Sequence, residues 1–253
     1  MNDHTCVEFR DHQEYKSMSE LTAAIVISTM GRIDDLRQSL SSIQGLERQP
    51  EQVVIVDDGD INKTREAVDN IDLPIELVEG PGNGLPASRN EAVKHVETDV
   101  VCFVDDDVVL PPNWLSEILY TYRTFDVDGV GGSVINYTPT DIGKGNMESP
   151  AYRLLMAVRT LFFYNRIGDV GPAGILYAPH TMIGTNAIEV DSFQGCNMTF
   201  RMSVFEDAQF DEWYGVGGAA PVEEVDFCTK LTTSGKDLVY KPQAVLIHKR
   251  TES

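Results

Sequence analysis

Asp105, Asp106 and Asp107 stand in a row directly after the apolar run VCFV at 101–104. Carboxylates this close repel one another, and burial at a strand end makes ionising all three costlier still. Asp105 and Asp107, one residue apart, offer hard oxygen donors of the kind that hold Mg2+ or Mn2+, a cation that also binds a substrate's phosphates. A cation with a diphosphate is then what offsets the carboxylates. Polar groups also follow two other apolar runs: Thr29 to Arg32 come after TAAIVIS (22–28), and Asp57 and Asp58 close QVVIVDD (52–58). Each alone reads as a turn or a helix cap. Three at the ends of separate strands describe the edge of a parallel sheet where ligands bind.

The elements needed to position these groups can be read from periodicity. TAAIVIS, QVVIVDD, PIELVEG (74–80) and DVVCFVDDD (99–107) read as strands. RIDDLRQSLSSIQ (32–44) places Ile33, Leu36, Leu40 and Ile43 at helical spacing. PASRNEAVKHV (86–96) carries proline in its first turn, and PPNWLSEILYTYRTF (111–125) opens on prolines and continues with helical periodicity. Alternating β and α segments predict an α/β fold with a mostly parallel, doubly wound sheet. After about residue 136 the pattern changes. A loop rich in Gly, Pro, Thr and Asn (137–150) is followed by a predicted helix (151–166) and a Gly/Pro-punctuated stretch (168–186). A last unit comprises GCNMTFR (195–201), an acidic helix in PVEEVDFCTKL (221–231) and the strand KDLVYKPQAVLIHK (236–249), interrupted by proline. The organisation predicted is a polar tail (1–20) and one domain in two halves (21–136 and 137–253).

Bulk properties narrow the function. Forty acids against 20 Lys+Arg give a net charge of −20 over 253 residues, which excludes a nucleic-acid partner needing a basic face. Self-repulsion on this scale suits a salt-rich, halophilic setting. The four cysteines are scattered with no C-x-x-C pair, so neither a disulfide framework nor a zinc cluster is expected, and Cys102 reads as core. No apolar run approaches the length of a membrane span and the N-terminus does not look like a signal peptide, which predicts a cytoplasmic protein.

Taken in order, STMGR (28–32), VDDGD (56–60), GLPASRN (84–90), FVDDDV (103–108), GCNMTFR (195–201), EEVDF (223–227) and His248 resemble a family 2 glycosyltransferase of the GT-A fold, over roughly residues 22–250. The resemblance implies a metal-dependent enzyme moving a sugar from a nucleotide-diphosphate sugar to an acceptor hydroxyl with inversion. It makes 21–136 the nucleotide-sugar half, and 137–253 an acceptor-side insertion with a C-terminal catalytic unit. Thr29, Arg32, Asp57, Asp58, Arg89, Asp105 and Asp106 would contact the donor. Asp105 and Asp107 would ligate the metal, with His248 either completing the coordination or lying at the surface. Gly195, Cys196, Asn197 and Glu223 would border the sugar pocket. The family's usual Glu-Asp pair is Glu223-Glu224 here, so Glu224 takes the general base's position, one methylene longer, with Asp226 two residues on as the alternative.

Other classes fit less well. A haloacid-dehalogenase-type phosphatase would use Asp105 as nucleophile, but EEVDF does not sit in the setting that class needs. A sugar-nucleotide pyrophosphorylase would need a basic Gly-rich loop where STMGRIDD stands. An inactive donor-binding module would have no reason to keep Glu224. One further segment bears on the acceptor. Residues 149–188 hold a single acid, Asp169, with Arg153, Arg159 and Arg166 among Leu154, Leu155, Met156, Leu161, Phe162 and Phe163. An apolar helix with a basic stripe suits an anionic membrane surface or a lipid-linked phosphate; the alternative is a core helix whose arginines pair with acids elsewhere. The resemblance favours a lipid-linked or polyprenyl-phosphate acceptor and peripheral membrane association.

Overall fold

The computed structural model describes residues 21–137, 186–216 and 222–249. The predicted tail and the basic segment with Arg153, Arg159 and Arg166 lie outside the described residues. β1 (Ala23–Thr29), β2 (Gln52–Asp57), β3 (Ile75–Glu79) and β4 (Val100–Asp105) run parallel, in the spatial order β3-β2-β1-β4. β8 (Asn197–Arg201) adds antiparallel to β4 and is followed by β6 (Gly129–Tyr137) and β9 (Leu238–Lys249), which are parallel to each other. The short strands β5 (Val108–Val109) and β7 (Ile188–Glu189) pair antiparallel with β9. The mixed, mostly parallel sheet agrees with the sequence-based fold and with GT-A architecture.

Both faces of the sheet are covered, which is why its central strands read as unbroken apolar runs. Ile25, Ile27, Val53, Ile55, Cys102 and Val104 point to one side. There α1 (Ile33–Gln44) contributes Leu36, Leu40 and Ile43, and α4 (Trp114–Thr124) contributes Trp114, Leu115, Ile118 and Tyr122. Val26, Val54, Val101 and Phe103 point to the other side, where α3 (Leu85–Val93) supplies Ala92 and α5 (Glu223–Thr233) supplies Phe227 and Leu231. Phe227 stacks on Phe210 at 4.2 Å and meets Phe200 edge-on at 5.1 Å, seating α5 against β8. α2 (Ile61–Val68) buries only Thr64 and Ala67, so its sequence carries no periodic apolar stripe. Asp60 caps it by accepting the Asn62 N–H. Pro242 lacks an N–H, and the β6–β9 register shifts between Gly132 and Val134 across that point. Gly132 approaches the β9 backbone so closely that a Cβ there would lie 1.9 Å from the Ala244 carbonyl oxygen.

A chain with 20 excess negative charges gains from screening. Its melting temperature is expected to rise from dilute buffer to molar KCl, measured by differential scanning fluorimetry; a flat or falling profile would remove the argument for a salt-adapted fold.

Candidate active site

Register brings the polar strand ends together. Thr29 lies beside Asp57 and Ser28 beside Asp105, so β1, β2 and β4 all end on one edge. The three consecutive aspartates then diverge. Asp106 is fully enclosed: its Oδ2 accepts from Thr29 Oγ1 at 2.7 Å and from Arg32 Nε at 3.1 Å, and its Oδ1 lies 2.5 Å from Arg32 Nη2. Asp107, also buried, meets Arg32 Nη1 at 3.2 Å and His248 Nε2 at 3.0 Å. Asp105 is the more open of the three, with Oδ2 3.7 Å from the same His248 nitrogen. Burial raises the Asp106 carboxyl to about 6. Burial also acts to raise Asp107, but the hydrogen bond and charge of His248 and the charge of Arg32 outweigh it and hold Asp107 below its ordinary value.

The expectation for this turn is therefore corrected in part. Arg32 and Thr29, not a cation alone, offset the central carboxylate. Asp106, expected on the donor, is sealed behind them and has no surface to offer one. The Thr29 hydroxyl is likewise committed to Asp106, whereas the half-exposed Arg32 still faces solvent. Ser39 holds the turn from below. Its Oγ lies 2.7 Å from the carbonyl oxygens of Asp106 and of Val108 and accepts the Val108 N–H at 3.1 Å. Sequence reading passed over Ser39, although a hydroxyl inside the Leu36–Leu40–Ile43 stripe is the sign of a buried polar clamp.

The next strand end keeps an open acceptor. Asp57 is buried; its Oδ1 accepts the Gly59 N–H at 2.7 Å, while its Oδ2 has no hydrogen-bond partner among the described residues. A buried carboxylate oxygen left this way is costly unless a ligand N–H or O–H completes it. Asp58 instead shapes the backbone: it accepts the Gly82 N–H at 2.8 Å and the Ser88 hydroxyl. Gly80 is required beside it, since a Cβ there would lie 2.1 Å from Asp58 Oδ1.

A second cluster joins α3, the turn before β8 and α5. Arg89 is buried; its Nη1 pairs with Glu223 Oε1 at 3.1 Å, its Nη2 donates to the Gly195 carbonyl at 3.1 Å, and its guanidinium lies 5.4 Å from the Phe210 ring centre. Asn90 clamps the same segment through paired bonds with Phe210, its amide donating to the carbonyl and its Oδ1 accepting the N–H, both at 2.9 Å. Arg89 and Glu223 thus form a buried tether that borders Gly195. Glu224 is left next to Gly195, where an added Cβ would come within 3.6 Å of its carboxyl carbon. Burial, and then the charge of Glu223, push the Glu224 carboxyl up to about 7, as suits a proton acceptor working near neutrality. Asp226 does not share this position: it pairs with Lys230 one turn on at 2.6 Å.

The turn leading into β8 corrects a further expectation. Asn197 is fully buried; its Nδ2 donates to the carbonyls of Ser133 and Ala244 at 3.0 Å each, and its Oδ1 accepts from Trp114 Nε1 at 3.1 Å. It ties β8 to β6, β9 and α4, and none of its hydrogen-bonding groups is left for a sugar. Asn197→Ala is expected to cost about 1–3 kcal/mol or more, the range for each buried polar group left without its partner, read from urea unfolding, with donor affinity of the folded protein unchanged. A variant that keeps wild-type stability but loses donor affinity would restore the sugar-pocket reading. Cys196 is buried beside the metal-type donors: its Sγ, an Asp105 oxygen and a His248 nitrogen lie within 4.8 Å of one another.

Among the described residues, Asp105, Cys196 and His248 bring one donor atom each close enough together to hold a divalent cation, with Asp107 paired to the same His248. Among the described residues, no helix is long and apolar enough to cross a membrane.

A sequence profile of Glycosyl transferase family 2 matches residues 24–206. A glucosyl-dolichyl phosphate glucuronosyltransferase of Haloferax volcanii is 24% identical over 242 residues, covering 92% of this chain and 70% of the relative. A pre-mycofactocin glycosyltransferase of Mycobacterium tuberculosis is 26% identical over 234 residues, covering 91% of this chain and 43% of the relative. This chain therefore spans less than half the length of the mycobacterial relative.

Proposed function

The chain belongs to glycosyl transferase family 2 and is a glycosyltransferase, and from that premise we propose that it inverts the anomeric centre of a nucleotide-diphosphate sugar while transferring the sugar to a hydroxyl of a lipid-linked acceptor. The observation that carries this reading is Glu224, poised near neutrality at the start of α5 beside Gly195. In this reading Glu224 takes the proton of the acceptor hydroxyl. The freed oxygen attacks the anomeric carbon on the face opposite the departing nucleoside diphosphate, so one displacement inverts the centre. The buried, partnerless Asp57 Oδ2 receives an N–H or O–H of the nucleoside. Asp105, Asp107 and His248 would hold a Mg2+ or Mn2+ ion, whose charge stabilises the leaving diphosphate. Arg32, anchored on Asp106 and Asp107 yet half-exposed, presents its remaining surface to the same edge. Arg89 and Glu223 keep α5 in place beside Glu224.

The lipid acceptor draws support from three directions. The Haloferax relative's name specifies a dolichyl phosphate. Residues 149–188 carry three arginines against one acid in a strongly acidic chain. Trp213, Val216 and Val222 are large apolar side chains left exposed at the surface. Peripheral association with an anionic membrane, at the inner face of the plasma membrane, follows from the same reading. The test offers glycosylated polyprenyl phosphate and a water-soluble glycoside side by side, with flotation on anionic liposomes for the wild type and for Arg159→Glu/Arg166→Glu. Faster transfer to the lipid, with flotation lost in the double variant, is expected. Equal transfer to both acceptors with no flotation of the wild type would overturn the lipid reading.

A further inference from the structure

We infer that Cys196 is a ligand of the cation held by Asp105 and His248, making the centre a mixed oxygen, nitrogen and sulfur site with a preference for thiophilic divalent ions. The inference rests on the metal site proposed above and adds to it a ligand that a carboxylate motif does not provide. Three donor atoms of different chemistry converge from separate elements: Asp105 from the end of β4, Cys196 from the turn entering β8, and His248 from β9. Their ligand atoms lie within 4.8 Å of one another, a separation that one ion at ordinary bond lengths spans with little side-chain movement. The convergence is fixed by the sheet, since β4 pairs with β8 at Val104 and Asn197, and His248 pairs with Val108 of β5. Asp107 Oδ1 lies 3.0 Å from Nε2 of the same imidazole, so a second carboxylate adjoins the group.

The sulfur decides which ions prefer the site. Carboxylates and water suit Mg2+, whereas thiolate favours Co2+, Zn2+ and Cd2+ over it. A thiol that coordinates loses its proton to solvent, so binding forms one metal–sulfur bond and releases one proton. The other reading of Cys196 is a small apolar core residue, in keeping with its burial among Val104, Val108 and Ala244. The two differ in what a metal ion does to the sulfur.

The experiment titrates Co2+ into the purified protein and records the near-ultraviolet thiolate-to-cobalt charge-transfer band, with Cd2+ and Mg2+ affinities from calorimetry. Wild type and Cys6→Ser are expected to develop the band; Cys196→Ser is expected to bind Co2+ without it. Cys196→Ser should lose at least about tenfold in Cd2+ affinity while its Mg2+ affinity changes far less. Cys196→Ala, checked by circular dichroism, serves if the serine variant folds poorly, and the wild-type spectrum decides the matter without any variant. Cobalt binding to the wild type with no band, or a band that survives in Cys196→Ser, overturns the ligand and leaves the carboxylate–histidine site standing. No binding of Co2+, Cd2+ or Mg2+ to the wild type overturns both.

Discussion

Glu224→Gln is expected to lower turnover by roughly 10²–10⁴-fold, the usual contribution of a general base, while donor affinity persists. Glutamine keeps the shape and removes the basic oxygen. The pH dependence gives an independent check. The base acts only when ionised, and its carboxyl sits at about 7. The wild-type rate should therefore fall as pH drops through 7, and this limb should be absent from the residual rate of Glu224→Gln. Stability moves the other way. The folded state holds a proton on Glu224 more tightly than the unfolded chain, whose reference is 4.5, so wild-type stability declines as pH rises from 4.5 through 7. The glutamine variant lacks that decline and should melt higher than wild type above pH 7. Asp226→Asn, which cuts only the pair with Lys230, should keep its turnover. If Asp226→Asn abolishes turnover and Glu224→Gln does not, the base has been placed two residues too early.

Removal of divalent cations is expected to bring transfer down to background, with recovery on adding Mg2+ or Mn2+. Asp107→Ala should abolish the metal-dependent part of nucleoside diphosphate binding, measured by calorimetry with and without the ion. The fold should survive this change, because Arg32 retains Asp106 at 2.5 Å and Ser39 still holds the turn through backbone carbonyls. Full activity in excess chelator would sink the metal reading. Asp106→Ala should behave differently, destabilising the protein by stranding Arg32 and Thr29 while leaving the metal increment in the folded fraction, since Asp106 faces inward.

The sequence by itself determined the α/β alternation, the strands β1, β2 and β4, the helices α1, α3 and α4, and the polar edge at Thr29, Asp57 and Asp105. These are local properties: a strand buried on both faces must be apolar throughout, and a helix packed on one face must repeat every three or four residues. The ordered motifs also carried the family. α2 escaped notice because it buries only Thr64 and Ala67, too little for a period to show. What only the tertiary structure decided is which polar residue faces the ligand and which is consumed inside. Asp105, Asp106 and Asp107 are chemically identical, and their separate fates depend on Thr29 and Arg32, some 75 residues away, and on His248 from the far strand. The pairing of Arg89 with Glu223 spans 134 residues, and the commitment of Asn197 to Ser133, Ala244 and Trp114 spans 47 to 83. Partners at such separations are set by strand order and register, whereas periodicity in a sequence reports only which face of one element is buried.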